Sequence, residues 1–102
     1  MAISLQVIYP ISEGKAFDFD YYTTTHFDLV GEHMGEHMDS MLVTKGLAGG
    51  PDVPPGIFAV ATLVFKDHDA LNAAMAAAPP VLADIPKFTN VEPQMLIGEV
   101  IS

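Results

Sequence analysis

The sequence predicts an α+β fold of order βαββαβ, the ferredoxin-like arrangement with a four-stranded antiparallel sheet. Three observations predict it. Two segments of helical periodicity alternate with four strand-like segments, the third strand is apolar on both faces, and a loop rich in glycine and proline separates the second strand from the third. All 102 residues are expected to form one domain, with a core of marginal size for a monomer.

The first half of the chain contains a strand, a helix and a second strand. Apolar side chains alternate along 3–9, which predicts the first strand. Asp18 is expected to cap a helix over 19–34, because an aspartate oxygen can accept from the first free N–H groups of a helix. Gly35 is expected to end that helix, since glycine disfavours helix interiors. The second strand is predicted at 39–45.

The second half contains a strand, an interrupted helix and a last strand. The run IFAVATLVF at Ile57–Phe65 predicts the third strand. Asp67 or Asp69 can cap the second helix, and Pro79-Pro80 interrupts it. The fourth strand is predicted at 94–101.

The third strand also predicts how the protein assembles. Two helices can cover only one face of a four-stranded sheet, and an antiparallel strand open to water on one side should alternate between apolar and polar residues. The third strand is apolar at nearly every position instead. A second copy of the same sheet would cover the remaining face, so the sequence predicts a homodimer packed sheet face to sheet face.

The helix after Asp18 is amphipathic and carries a histidine in its apolar stripe. At about 100° per residue, positions three, four and seven apart share a face. The stripe comprises Phe19, Tyr22, His26, Leu29, Val30 and His33. Two interpretations of His26 stay open, because a buried imidazole needs either a partner or a purpose. It is a core histidine bonded to a backbone carbonyl or a tyrosine hydroxyl, or it is a general acid or base lining a cleft.

Three segments resemble the EthD family, small bacterial proteins named after ethyl tert-butyl ether degradation. The first comprises Phe17-Asp18, Asp20-Tyr21-Tyr22 and Thr25-His26, the second is the loop entry 45–50, and the third is 84–93. With the order of elements, the resemblance covers essentially the whole chain. It implies the dimeric α/β-barrel architecture and therefore the same homodimer.

The resemblance also implies a role for the histidine. Relatives in the wider superfamily use a histidine at this helix position for proton transfer, so His26 is the candidate general base and Tyr22, on the same face, its catalytic partner. Tyr22 is alternatively an aromatic core residue. Asp84 is interpreted as structural and Tyr21 as a surface residue. The residues predicted to bind substrate are Tyr9, Leu29, Val30, His33, Phe88 and Asn90.

Charge and hydropathy exclude several classes of partner. The formal net charge is −9, and the four cations are all lysines. Such a chain repels phosphate backbones and anionic lipid, so neither nucleic acid nor a membrane is expected as a partner. A small hydrophobic or aromatic molecule without charge is favoured. The N-terminus lacks the pattern of a signal peptide, and a cytoplasmic location is expected.

No cofactor and no metal are expected. The sequence contains no cysteine, no GxGxxG pattern and no phosphate-binding loop. The tandem GEHM repeat at 31–38 places His33 and His37 four residues apart, a spacing compatible with metal ligands. No HExxH pattern accompanies it, so a solvated helix end is the preferred interpretation.

Two functions remain. The first is a cofactor-independent enzyme acting on a small hydrophobic carbonyl or phenolic compound by isomerisation, dehydration, cyclisation or decarboxylation. His26 would move the proton, and Tyr22 or Tyr9 would stabilise an oxyanion or enol. The alternative is a non-catalytic binding or scavenging protein, accessory to an oxygenase pathway of the ether-degradation type. Haem or metal binding through His26 or His33 has the least support.

Overall fold

The four strands form one sheet in the predicted topology. The structure, a computed structural model, describes residues 1–102. Its strands are β1 (Ile3–Pro10), β2 (Ser40–Lys45), β3 (Ile57–Phe65) and β4 (Gln94–Glu99). The sheet is antiparallel with the order β2-β3-β1-β4, which places β1 and β3 at its centre. The α+β, ferredoxin-like fold class is confirmed.

Two helical segments connect the strands. The first runs through α1 (Phe19–Tyr21), a π-helical turn (Tyr22–His26) and α2 (Phe27–Met34), followed by a 3₁₀ turn at Gly35–His37. The second comprises α3 (His68–Ala77), α4 (Pro79–Asp84) and a 3₁₀ turn at Ile85–Lys87. None of these helices combines the length and the apolar character that a membrane crossing requires.

Aspartate caps begin both helical segments, as the sequence predicts. Asp18 Oδ1 accepts from the N–H of Tyr21 at 3.1 Å, and Asp67 Oδ1 accepts from the N–H of Ala70 at 2.9 Å. Pro79 begins α4, where the missing N–H of proline costs nothing because the first helical position has no partner for it.

The first helical segment differs from the regular helix predicted over 19–34. Its π-helical turn coincides with three consecutive threonines. The hydroxyl of Thr23 donates to the carbonyl of Phe19 at 2.8 Å, and that of Thr24 donates to the carbonyl of Asp20 at 2.6 Å. Such hydroxyls compete with backbone N–H groups for the carbonyl four residues back and distort a helix. The wider turn therefore has a local cause in the sequence.

The core lies between the sheet and the helical segments, in two clusters. The larger is mainly aliphatic and includes Leu5, Leu63 and Val30. The smaller is aromatic, built around Tyr9, Tyr22 and Phe88. This division matters because the candidate site lies where the two clusters meet.

The opposite face of the sheet has no helix over it. One row runs across all four strands in the order Leu42, Thr62, Gln6 and Leu96. Leu42 and Leu96, at the two ends of the row, are 67% and 53% exposed. The neighbouring rows hold Ser40, Val64, Ser4 and Gly98, and Thr44, Val60, Ile8 and Gln94. No charged residue occurs in these three rows.

Candidate functional site

A cavity of about 50 Å³ lies between the sheet and the helical segments. Leu5, Val7, Ala61 and Leu63 of the two central strands form its floor. Of the 17 residues that line it, 16 are hydrophobic, and the remaining one is His26. A cavity with so few polar groups suits an apolar ligand, which those groups would orient.

His26 is buried and has one fixed partner. Its side chain ends the π-helical turn, and the residue is 3% exposed. Ring atom Nδ1 lies 3.0 Å from Oδ2 of Asp84, which is 58 positions further along the chain at the end of α4. Asp84 does not line the cavity. Asp84 therefore engages the Nδ1 edge of the imidazole, while the His26 ring itself lines the cavity.

The other carboxylate oxygen of Asp84 accepts a hydrogen bond from a second residue. The hydroxyl of Tyr21 donates to Asp84 Oδ1 at 2.7 Å, a short, charge-assisted hydrogen bond. Both oxygens of this buried carboxyl group are thus engaged by side chains of the first helical segment. The arrangement links Tyr21, Asp84 and His26 in one hydrogen-bonded chain.

The protonation states of this chain follow from its surroundings. Burial on its own raises the pKa of Asp84, but the hydrogen bonds from Tyr21 and His26 and the charge of Lys87 outweigh it and lower that pKa overall. Burial lowers the pKa of His26, and Asp84 opposes that change only in part. Near neutral pH the carboxylate is ionised and accepts only, so Nδ1 carries the hydrogen and Nε2 is left with a free lone pair.

Tyr22 lines the same cavity and has an unpartnered hydroxyl. It begins the π-helical turn, lines the cavity and is 2% exposed, yet its hydroxyl has no hydrogen-bond partner. Burial raises the pKa of Tyr22, and burial together with Tyr22 raises that of Tyr9. Both phenols therefore stay protonated across the physiological range. An unpartnered buried hydroxyl costs free energy.

Phe88 packs against the imidazole but does not line the cavity. Its ring centroid lies 4.6 Å from that of His26 and 5.0 Å from that of Tyr22. Tyr22 in turn lies 5.7 Å from His26 with the two ring planes 18° apart. Packing against Phe88 and Tyr22 restricts rotation of the imidazole, which keeps the Nδ1 edge on Asp84.

The structure brings together part of the predicted site. Tyr9, Tyr22, His26 and Val30 all line the cavity. Leu29 packs on the aliphatic cluster, and His33 is half-buried outside the lining. Neither residue reaches the cavity, because the π-helical turn changes the phase of the helix that follows it.

Asn90, one of the residues predicted to bind substrate, has a different role in the structure. The residue is exposed and does not line the cavity. Its Oδ1 accepts from the N–H of Ala16 at 2.9 Å, and its Nδ2 donates to the carbonyl of Gly14 at 3.0 Å. An asparagine before a strand can satisfy backbone groups in this way, and here it fastens the loop after β1 to the chain before β4.

Sequence reasoning missed two residues of the hydrogen-bonded chain. The sequence favours a structural role for Asp84 and a surface position for Tyr21, but Asp84 bonds directly to His26 and Tyr21 bonds to Asp84. The signal that could have identified Asp84 is its position at the start of the third segment of family resemblance. In the GEHM repeat, His33 and His37 belong to no group of three histidine or acidic side chains able to share a metal ion.

Several solved structures of other proteins are similar to this chain. Protein-family models and curated proteins gave no match. An EthD-like protein from Ralstonia eutropha JMP134 is 32% identical with a TM-score of 0.88, over 99% of this chain and 93% of its own. An ethyl tert-butyl ether degradation (EthD) family protein from Bacillus halodurans C-125 is 26% identical with a TM-score of 0.78, over 99% and 100%. SnoaB, a cofactor-independent oxygenase from Streptomyces nogalater, shares the fold at 12% identity and a TM-score of 0.61, over 98% and 95%.

Proposed function

This chain belongs to the EthD family, and from that premise we propose that it binds a small uncharged hydrophobic compound and transfers a proton to or from it through His26. One observation carries the proposal. A buried imidazole, held at Nδ1 by Asp84 and so left with Nε2 for a ligand, lines an apolar cavity together with Tyr22, whose buried hydroxyl has no partner. A base beside a hydrogen-bond donor is the arrangement that proton abstraction next to a carbonyl needs.

The proposed reaction step uses three side chains. Nε2 of His26 takes a proton from the carbon next to the ligand carbonyl, and the electron pair of that C–H bond moves toward the carbonyl oxygen. Tyr22 donates a hydrogen bond to the enolate oxygen as its negative charge develops. Asp84 stabilises the imidazolium that forms. Return of the proton from the imidazolium to another atom would complete an isomerisation. Transfer of that proton to a β-hydroxyl group that leaves as water would complete a dehydration.

The charges of the site support an uncharged ligand. The chain has no arginine, and none of its four lysines lines the cavity. Asp84 adds a negative charge behind the imidazole. A carboxylate or phosphate group would enter without a counter-charge and would lose its hydration, which is costly in an apolar cavity.

Deuterium exchange tests the proposal without knowledge of the natural substrate. Acetophenone serves as the probe, because it is uncharged and its methyl protons exchange through an enolate. In D₂O the native protein is expected to accelerate that exchange, whereas His26→Gln should bind the probe about as well and give only the buffer rate. His68→Gln, a change in an exposed histidine outside the cavity, is the matched control. Equal exchange by His26→Gln and the native protein would contradict the role of His26.

The same experiment distinguishes the enzyme from the second candidate, a non-catalytic binding protein. The nearly uniform apolar lining favours binding as much as catalysis. Acetophenone that binds to the native protein without any accelerated exchange would overturn the enzymatic proposal. It would leave the non-catalytic binding protein, accessory to a degradation pathway, as the function of this cavity.

We further propose that each subunit is one domain over residues 1–102 and that two subunits pair through the uncovered sheet face. The absence of charge from its three central rows and the exposed Leu42 and Leu96 support this assembly. Light scattering after size-exclusion chromatography should give twice the 10.9 kDa chain mass. Leu96→Asp should give the single chain mass, whereas Leu47→Asp, in a loop and 82% exposed, should leave the dimer intact. A native protein at 10.9 kDa would contradict the dimer.

A further inference from the structure

Tyr21 lies outside the cavity, yet it bonds to the group that holds the imidazole. The residue ends α1 and is only half-buried. Its hydroxyl donates a hydrogen bond to Oδ1 of Asp84 at 2.7 Å, while Nδ1 of His26 lies 3.0 Å from Oδ2. We propose that Tyr21 is a positioning residue, whose phenol fixes the rotation of the Asp84 carboxylate and thereby the orientation of His26. This inference rests on the proposed function, for which it supplies the arrangement of the base.

The rigidity of the arrangement depends on Tyr21 through two contacts. A carboxyl group held at one oxygen only can rotate about its last single bond, whereas hydrogen bonds at both oxygens fix its plane. The ring of Tyr21 also stacks on Phe88, with centroids 6.3 Å apart and planes 23° apart. Phe88 in turn packs on the His26 ring. One side chain thus supports the imidazole through a hydrogen bond and through packing.

Tyr21 also limits how strongly Asp84 acts on His26. A carboxylate that shares its charge with a phenol exerts a weaker field on its other partner. The titratable groups around His26 are Tyr22 from its own turn, Tyr21 from α1, Asp84 from α4 and Tyr9 from β1, with Lys87 acting on Asp84. Removal of the Tyr21 hydroxyl should therefore favour the imidazolium, and removal of the Asp84 charge should disfavour it.

Opposite responses of two variants test the proposal. The signals of His26 are assigned in the native protein by their loss in His26→Gln, and its titration is followed by nuclear magnetic resonance without any ligand. Tyr21→Phe should raise the titration midpoint of His26 by about half a pH unit, and Asp84→Asn should lower it by about one. Tyr22→Phe, which removes a hydroxyl that does not reach Asp84, is the matched control and should leave the midpoint nearly unchanged.

A merely structural Tyr21 would give a different pattern. Loosening of the fold would expose His26 in both variants, so both midpoints would move toward the value of a free histidine. That pattern, or a midpoint in Tyr21→Phe equal to the native one, would overturn the proposal. Failure of acetophenone exchange in the native protein, with the opposite shifts preserved, would instead overturn the proposed function and leave the positioning role intact.

Discussion

The rings of Tyr22 and His26 lie 5.7 Å apart with their planes 18° from parallel, one at each end of the single π-helical turn. In a regular helix, side chains four apart would be rotated relative to each other by about 40°. The extra residue in the turn changes that rotation, and π-helical turns occur often at functional sites. Positions four apart share a face in a regular helix as well, so the π-helical turn sets the relative orientation of the two rings rather than the wall on which they lie.

Replacement of Thr23 and Thr24 by alanine should convert this turn toward a regular helix. Both hydroxyls that compete for helix carbonyls are then absent, and alanine has the higher helix propensity by about 0.5 kcal/mol per residue. The expected result is unchanged or higher thermal stability together with weaker binding of acetophenone, measured by calorimetry. Thr25→Ala is the matched control, because the side chain of Thr25 is exposed and forms no hydrogen bond. Equal affinity in the double variant and the control would contradict the role of the turn.

Tyr22→Phe should stabilise the empty protein and weaken ligand binding. The hydroxyl of Tyr22 is buried without a partner, so its removal relieves a desolvation penalty of about 1 kcal/mol. The same change deletes the donor expected to meet the ligand oxygen, which should lower acetophenone affinity about tenfold. Urea unfolding and titration calorimetry measure the two effects. A variant that is less stable and binds equally well would show that Tyr22 is only a core residue.

Acid should destabilise the protein in two steps. Burial lowers the pKa of His26 below its value of 6.5 in the unfolded chain, so the unfolded state binds more protons and stability falls as the pH falls through and below 6.5. Asp84 has a folded pKa below 3.8, so its contribution is present above 3.8 and is lost at still lower pH. Urea unfolding measures the free energy of unfolding at each pH. Its fall below pH 6.5 should be absent from His26→Gln and present in His68→Gln. Retention of that step in His26→Gln would assign it to another group.

The cavity should discriminate by charge between ligands of similar shape. Acetophenone and benzoate share one aromatic ring, but benzoate adds a negative charge that no lysine or arginine of the lining can neutralise. Acetophenone is expected to bind at least about tenfold more tightly near neutral pH. Calorimetry of the two ligands under the same conditions measures the ratio. Tighter binding of benzoate would contradict the assignment of an uncharged ligand.

Periodicity and capping predicted the order of elements, but they could not predict the hydrogen-bonded chain. Strand alternation and the caps Asp18 and Asp67 are local signals, and the structure agrees with them. Asp84 and His26 are separated by 58 positions, so only the packing of α4 on the first helical segment brings them together. A regular helix over 19–34 would put Tyr21 on the polar side and His33 on the apolar stripe. The π-helical turn lies between these two residues and changes the angle between them, so the regular spacing does not hold across it.

The tautomer of His26 in the native protein near neutral pH tests its role as a base most directly. Long-range nitrogen–proton correlation spectra distinguish a proton on Nδ1 from one on Nε2, and His26→Gln identifies the signal. The proposed role of His26 as a base requires a neutral ring with its hydrogen on Nδ1, bonded to Asp84, and a bare Nε2. A neutral ring protonated on Nε2, or an imidazolium at that pH, would contradict it, because neither form leaves Nε2 free to accept a proton from a ligand.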